Sequence, residues 1–238
     1  MNMEQRNAWN VKHRALNASI LKPAEHDKVV ELLLDLHGSL YSSEMAGDLG
    51  VHSEEILMEN MTEELLRWYP VPCSDTSNSI AWHLWHMARV EDITMNILAV
   101  GGKEVLYSDN WLEKMNIRFA TPGNEMNEAD MEEFNSYINI ESLLAYRIAV
   151  GRQTREIVNS LKPSEVKEKV QASRILRLFD EKILNEDTKW LADYWSKKKV
   201  AGLFLMPTTR HNFLHMNKSI RIKDKLIKMK KKGVTSIR

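Results

Sequence analysis

The histidines carry the first information about chemistry. The 238-residue chain has eight; four fall in two tight pairs, His83/His86 and His211/His215, and none lies between Met87 and Arg210. His211 and His215 are four residues apart, which on a helix separates them by only about 40° of azimuth. Both imidazoles then project from adjacent turns of one face, a spacing that lets two rings bind one metal ion. The same face carries Phe204, Thr208, Ser219 and Ile222, so it is expected to point inward. Buried neutral imidazoles need partners, and a metal is a strong one. Hydrogen bonds to polar core groups, or a surface position, would fit the same spacing.

A third imidazole is available on another helix. The segment from about Ser77 to Val100 is apolar around most of its circumference, which makes it central. His86 falls between Ile93 and Ile97 on its wheel, and His83 nearer Val90 and Met87. Bundle cores build metal sites from facing helices in this way. A His86–His211–His215 set leaves coordination positions for water or substrate, the mark of a catalytic rather than a structural site. Zinc, nickel and iron all suit imidazole, and spacing does not choose among them.

The elements that must position these residues read as helices. Nine glycines and six prolines are few, alternating β-branched stretches are scarce, and long segments rich in Leu, Glu, Lys, Met and Ala dominate. Helices are expected over about 23–44, 53–67, 77–100, 140–161, 164–184 and 187–199. A last one should start between Val200 and Thr208 and run to about Lys231, with Pro207 marking its first turn or a kink. Gly101-Gly102 should end the third, and Thr121-Pro122-Gly123-Asn124 reads as a turn. The expectation is an all-α, four-helix bundle with additional short helices. It occupies 23–232 as one domain, after an extension over 1–22 and before a C-terminal tail over 233–238.

Bulk properties narrow the function classes. Formal net charge is zero, so no global field favours nucleic acid or membrane. The lysines around Lys228–Lys232 have no interleaved aromatics and read as a solvated helix end. No window reaches the roughly 18 apolar residues that a membrane span needs, and the N-terminal sequence lacks a signal-like apolar run. The single cysteine, Cys73, excludes an intramolecular disulfide and fits a reducing compartment, so a cytoplasmic location is expected.

The stretch Asn78-Ser-Ile-Ala-Trp-His-Leu-Trp-His86-Met-Ala-Arg-Val-Glu91-Asp92 resembles the second-helix signature of the DinB/YfiT-like superfamily, and the HxxxH at His211 and His215 matches that family's last-helix motif. The likeness runs from about Lys28 to Lys225. It implies a DinB-like four-helix bundle of unusual topology with a three-histidine metal site. Members with known activity are thiol S-transferases and isomerases using low-molecular-weight thiols; others are described only as metal-dependent hydrolases. The chain departs from the pattern in its N-terminal extension, in extra sequence around 108–135 and 165–187, and in His83, a fourth histidine that would touch the ligands or the substrate.

The leading expectation is therefore a metal-dependent enzyme that activates water or a low-molecular-weight thiol against a small-molecule substrate. Glu91 is its candidate general base or hydrogen-bond acceptor behind the ligands. Arg210 and Asn212, flanking His211, are candidates to orient an anionic thiol, or ordinary helix-surface groups. Trp190 and Trp195 read as packing first and pocket walls second. The alternative is a non-enzymatic metal-binding or structural bundle, its metal closed off by His83 or Glu91. A homodimer through an exposed helix face is compatible with a bundle of this size.

Overall fold

The computed structural model describes residues 1–47 and 50–232; the expected tail over 233–238 lies outside them. Helices are the regular secondary structure of the described residues, which otherwise hold only turns, loops and two isolated β-bridges. None of their helices is long and apolar enough to cross a membrane.

Helix α1 spans Met3–Ser19, α2 His26–Gly38, α3 Ile80–Asp92, α4 Ile140–Ser160, α5 Lys189–Ser196 and α6 Asn212–Lys231. Two of these are extended by wider, π-type turns: α3 continues through Ile93–Ala99, and α6 is preceded by Val200–Leu203 and a π segment over Phe204–His211. Helix α3 packs on α4 and α6, while α2 packs on α4 and on the Phe204–His211 segment. That ring is compatible with a four-helix bundle. All thirteen residues of α3 are buried, as its apolar circumference requires.

Local chemistry sets the ends of these helices. Ser79 Oγ accepts from the amide of Trp82 to cap α3, and Asn139 caps α4 through the amide of Ser142. Gly101, at φ 73°, takes the left-handed conformation just past the Ile93–Ala99 turn. The expected helix over 53–67 is instead two pieces, Ser53–Met58 and Glu63–Arg67, because Asn60 adopts φ 56° between them. Around 164–184 only Ala172–Asp180 is α-helical, and Glu128–Tyr137, capped by Asn127, is a helix in a stretch with no clear periodicity.

The N-terminal residues set apart as an extension form α1, which packs on α2 and on the Phe204–His211 segment. Trp9 and Leu16 are buried there, and Trp9 stacks on Phe213 with ring centroids 4.0 Å apart. Pro207 lies inside the π segment and has no amide hydrogen to donate. Helix α1 supplies partners for this irregular stretch: His13 Nε2 donates to the Leu205 carbonyl at 3.0 Å, and its Nδ1 accepts from Arg210 at 3.1 Å.

Candidate metal centre

The fold brings His86, His211 and His215 together, one nitrogen from each lying within 4.8 Å of the others. His86 comes from the buried centre of α3, His211 from the end of the π segment and His215 from the first turn of α6. His86 is buried; His211 and His215 are half-buried and face a cavity.

Each ring is held by a different part of the chain. His86 Nδ1 lies 2.6 Å from the Pro122 carbonyl oxygen, which can only accept, so Nδ1 carries the hydrogen and Nε2 keeps its lone pair. The Thr121–Asn124 turn delivers that carbonyl. Gly123 takes φ 82°, and a Cβ there would lie 2.4 Å from Trp85 and 3.0 Å from Trp82 Nε1. Trp82 in turn stacks flat on the His86 ring, 4.5 Å away at 9°. Arg89 anchors the strand of chain entering the turn by donating to the Ala120 carbonyl, while ion-pairing with Asp92 and Glu104. Asp92 is thus buried and paired with arginine; its oxygens also accept from Asn96 and the amides of Val105 and Leu106.

His211 is held through a chain of two residues. Asn212 Nδ2 donates to Glu91, which fixes the amide so that Oδ1 faces His211 Nδ1 at 3.4 Å. His211 Nδ1 is therefore the protonated nitrogen. Its Nε2 lies 3.1 Å from His86 Nε2. Two lone pairs at that separation repel unless a proton or a cation lies between them.

Protonation is opposed by the surroundings. Burial pushes His86 down to about 4, with the Pro122 hydrogen bond working the other way. Burial, then the neighbouring His86, takes His211 to about 3. His215 is driven well below the ordinary imidazole value by burial and then by His211 and His86. Three neutral imidazoles gathered this closely, two of them with facing lone pairs, form a donor set suited to a divalent cation, so the residues fit a metal.

The remaining sequence candidates stand around this cluster rather than in it. His83 is buried and its Nδ1 lies 2.9 Å from His215 Nδ1, so it meets a triad ring, not the cavity. Glu91 does not line the cavity; it accepts from His37 at 2.7 Å, Tyr41 at 3.0 Å and Asn212. Burial works against its charge, but His37 and the hydrogen bonds outweigh this and hold the carboxyl below its usual range. With three donors on two oxygens it supports His211 through Asn212, and it is not placed to take a proton from a substrate. Arg210 is turned away as well, donating to Asn10 and His13 of α1 and stacking over Trp9. Asn212 is buried behind His211 and reaches no ligand space.

The cavity over the triad measures about 380 Å³. One wall is α5, which presents Trp190, Leu191, Tyr194 and Trp195; the others are formed by Val90, Asn124, Met206 and Pro207. Tyr194 and Asn124 were not legible as site residues. Asn124 belongs to the turn that orients His86, and Tyr194 lies one helical turn beyond Trp190, an i, i+4 relation that could have flagged it.

An all-α fold with three convergent histidines at the foot of a cavity is compatible with a metal-binding protein. The sequence profile of the DinB superfamily matches residues 55–186, just over half of the chain, and the protein belongs to that superfamily. The match includes His86, while His211 and His215 lie beyond it and join the site only through the fold. No curated protein matches the chain.

Proposed function

We propose that this protein is a metal-dependent enzyme in which His86, His211 and His215 hold one divalent ion, zinc, nickel or iron, beneath a small-molecule pocket. The observation that carries this reading is the pair of facing Nε2 atoms of His86 and His211, each with its Nδ1 committed to an oxygen acceptor. A bound metal would lower the pKa of water or of a low-molecular-weight thiol and so supply a nucleophile near neutral pH.

The chain's own residues do the positioning. Pro122 O orients His86, the Glu91–Asn212 pair orients His211, and His83 meets His215 at Nδ1, leaving Nε2 of His215 for the ion. Such partners keep ligand rings in one tautomer and rotamer. Helix α5 screens the site from bulk water with Leu191 and Trp195, both buried. Glu91 is committed to His37, Tyr41 and Asn212, His83 stands outside the three-histidine group, and the triad opens on the cavity, which favours catalysis over a purely stabilising metal.

The test is metal content by elemental analysis after offering zinc, nickel or ferrous iron under reducing conditions. Near-stoichiometric metal, lost in His86→Ala, His211→Ala and His215→Ala, is the expected result. It would be followed by thiol-transfer and hydrolysis assays on the loaded protein. A folded native chain that takes up none of the three ions would overturn the reading.

A further inference from the structure

We infer that the pocket over the triad selects an uncharged, apolar or aromatic small molecule, with Trp190 and Tyr194 of α5 as its specificity-determining residues. The inference rests on the metal reading above and adds to it the class of ligand.

Two observations and one consequence of the metal reading carry it. Among the described residues, none that lines the cavity bears a formal charge, and its polar side-chain groups are those of Asn124, the histidines, the Tyr194 hydroxyl and the indole N–H groups of Trp190 and Trp195. A ligand carboxylate or phosphate remote from the reacting end would be desolvated there without a cationic partner, which disfavours its binding. Arg210, the nearest arginine in sequence to His211, is committed to Asn10 and His13 of α1. Lys198 is stacked on the Tyr194 ring, its Nζ 4.0 Å from the centroid, and does not line the cavity.

The second observation is exposure. Trp190 is 56% and Tyr194 37% exposed, while Leu191 and Trp195 of the same helix are buried. One face of α5 thus packs into the core, and its aromatic rim stays open at the cavity. Large aromatic rings left facing solvent beside a cavity are surface that a ligand can cover, and flat π-faces favour stacking on rings.

Third, a cation held by neutral imidazoles would repel a positively charged ligand and could meet a negative group only at the metal itself, which leaves the aromatic wall to neutral surface. A cavity of about 380 Å³ accepts a two- or three-ring molecule.

The experiment uses two fluorescent probes of nearly equal shape that differ by one sulfonate, neutral N-phenyl-1-naphthylamine and anionic 8-anilino-1-naphthalenesulfonate. Each is titrated into the zinc-loaded full chain, a Trp190→Ala/Tyr194→Ala double variant and His211→Ala, with zinc content measured in parallel. The neutral probe should bind the native chain at least about tenfold more tightly than its sulfonate, and the double variant should lose about tenfold in affinity for it at unchanged zinc content. Equal or tighter binding of the sulfonate would overturn the inference, as would unchanged binding of the neutral probe by the double variant. Native protein that takes up no zinc yet binds the neutral probe through Trp190 and Tyr194 would overturn the metal reading and leave the ligand class standing.

Discussion

His86 Nδ1 and the Pro122 carbonyl oxygen, 36 residues apart in sequence, sit 2.6 Å apart in the structure. That contact converts an ordinary proline-glycine turn into part of the candidate metal centre. It leaves the imidazole no choice of tautomer, because a carbonyl accepts and never donates. The turn can approach so closely because Gly123 has no side chain to meet Trp85.

Gly123→Ala should therefore cost about 1–3 kcal/mol of stability, from the positive φ and the overlap with Trp85 together. Metal affinity should fall with it, since the Pro122 carbonyl must move to relieve the overlap. Chemical denaturation and a competition titration with a chromophoric chelator measure the two quantities. A variant as stable as the native chain, with the same affinity, would show that the turn is not what holds His86.

Asn212→Ala removes the bridge between Glu91 and His211 without touching a ligand. Zinc affinity is expected to drop about 10–100-fold, the range found when a hydrogen-bond partner behind a metal-binding histidine is deleted. Stability should fall by about 1–3 kcal/mol because Glu91 keeps its burial and loses a donor. Unchanged zinc affinity would remove Asn212 and Glu91 from any part in the centre.

The metal-free protein should be sensitive to mild acid. His86 and His211 have folded-state values of about 4 and about 3, against 6.5 for a free side chain, so the unfolded chain takes up protons first as pH falls. Their contribution is fully present above pH 6.5 and is lost progressively toward the folded-state values. Each buried ring lowers stability by up to about 1.4 kcal/mol per pH unit in that window. Urea unfolding of the apoprotein between pH 7.5 and 5 would measure this. A profile no steeper than that of His86→Ala would mean that folding does not lower the pKa of His86.

Trp9→Ala probes whether α1 serves the centre. Trp9 is buried, stacks on Phe213 and lies under Arg210, so about 3–5 kcal/mol should be lost. Amide exchange across residues 204–211 should accelerate first, since His13 would no longer be held against the Leu205 carbonyl. Exchange that rises uniformly over the chain, with no preference for that segment, would reduce α1 to general packing.

The sequence by itself determined the helical class, the central place of α3, and the three histidines, because each rests on short-range order. Helical spacing of apolar residues decides which face is inward, and an HxxxH pair shares a face in any helix. The family's profile reaches only residue 186, yet the two motifs already pointed to one site. What tertiary structure alone decided was the function of residues whose neighbours are distant in sequence. Helical-wheel position placed Glu91 inward, but the choice between base and buried acceptor depended on His37, Tyr41 and Asn212, contributed by other helices. Arg210 flanks a candidate ligand in sequence and is captured by α1, some 200 residues away. The aromatic wall of α5 lines the triad only because a segment with no metal-binding signature folds across it. Hydrophobic periodicity reports burial, and burial by itself does not say against what.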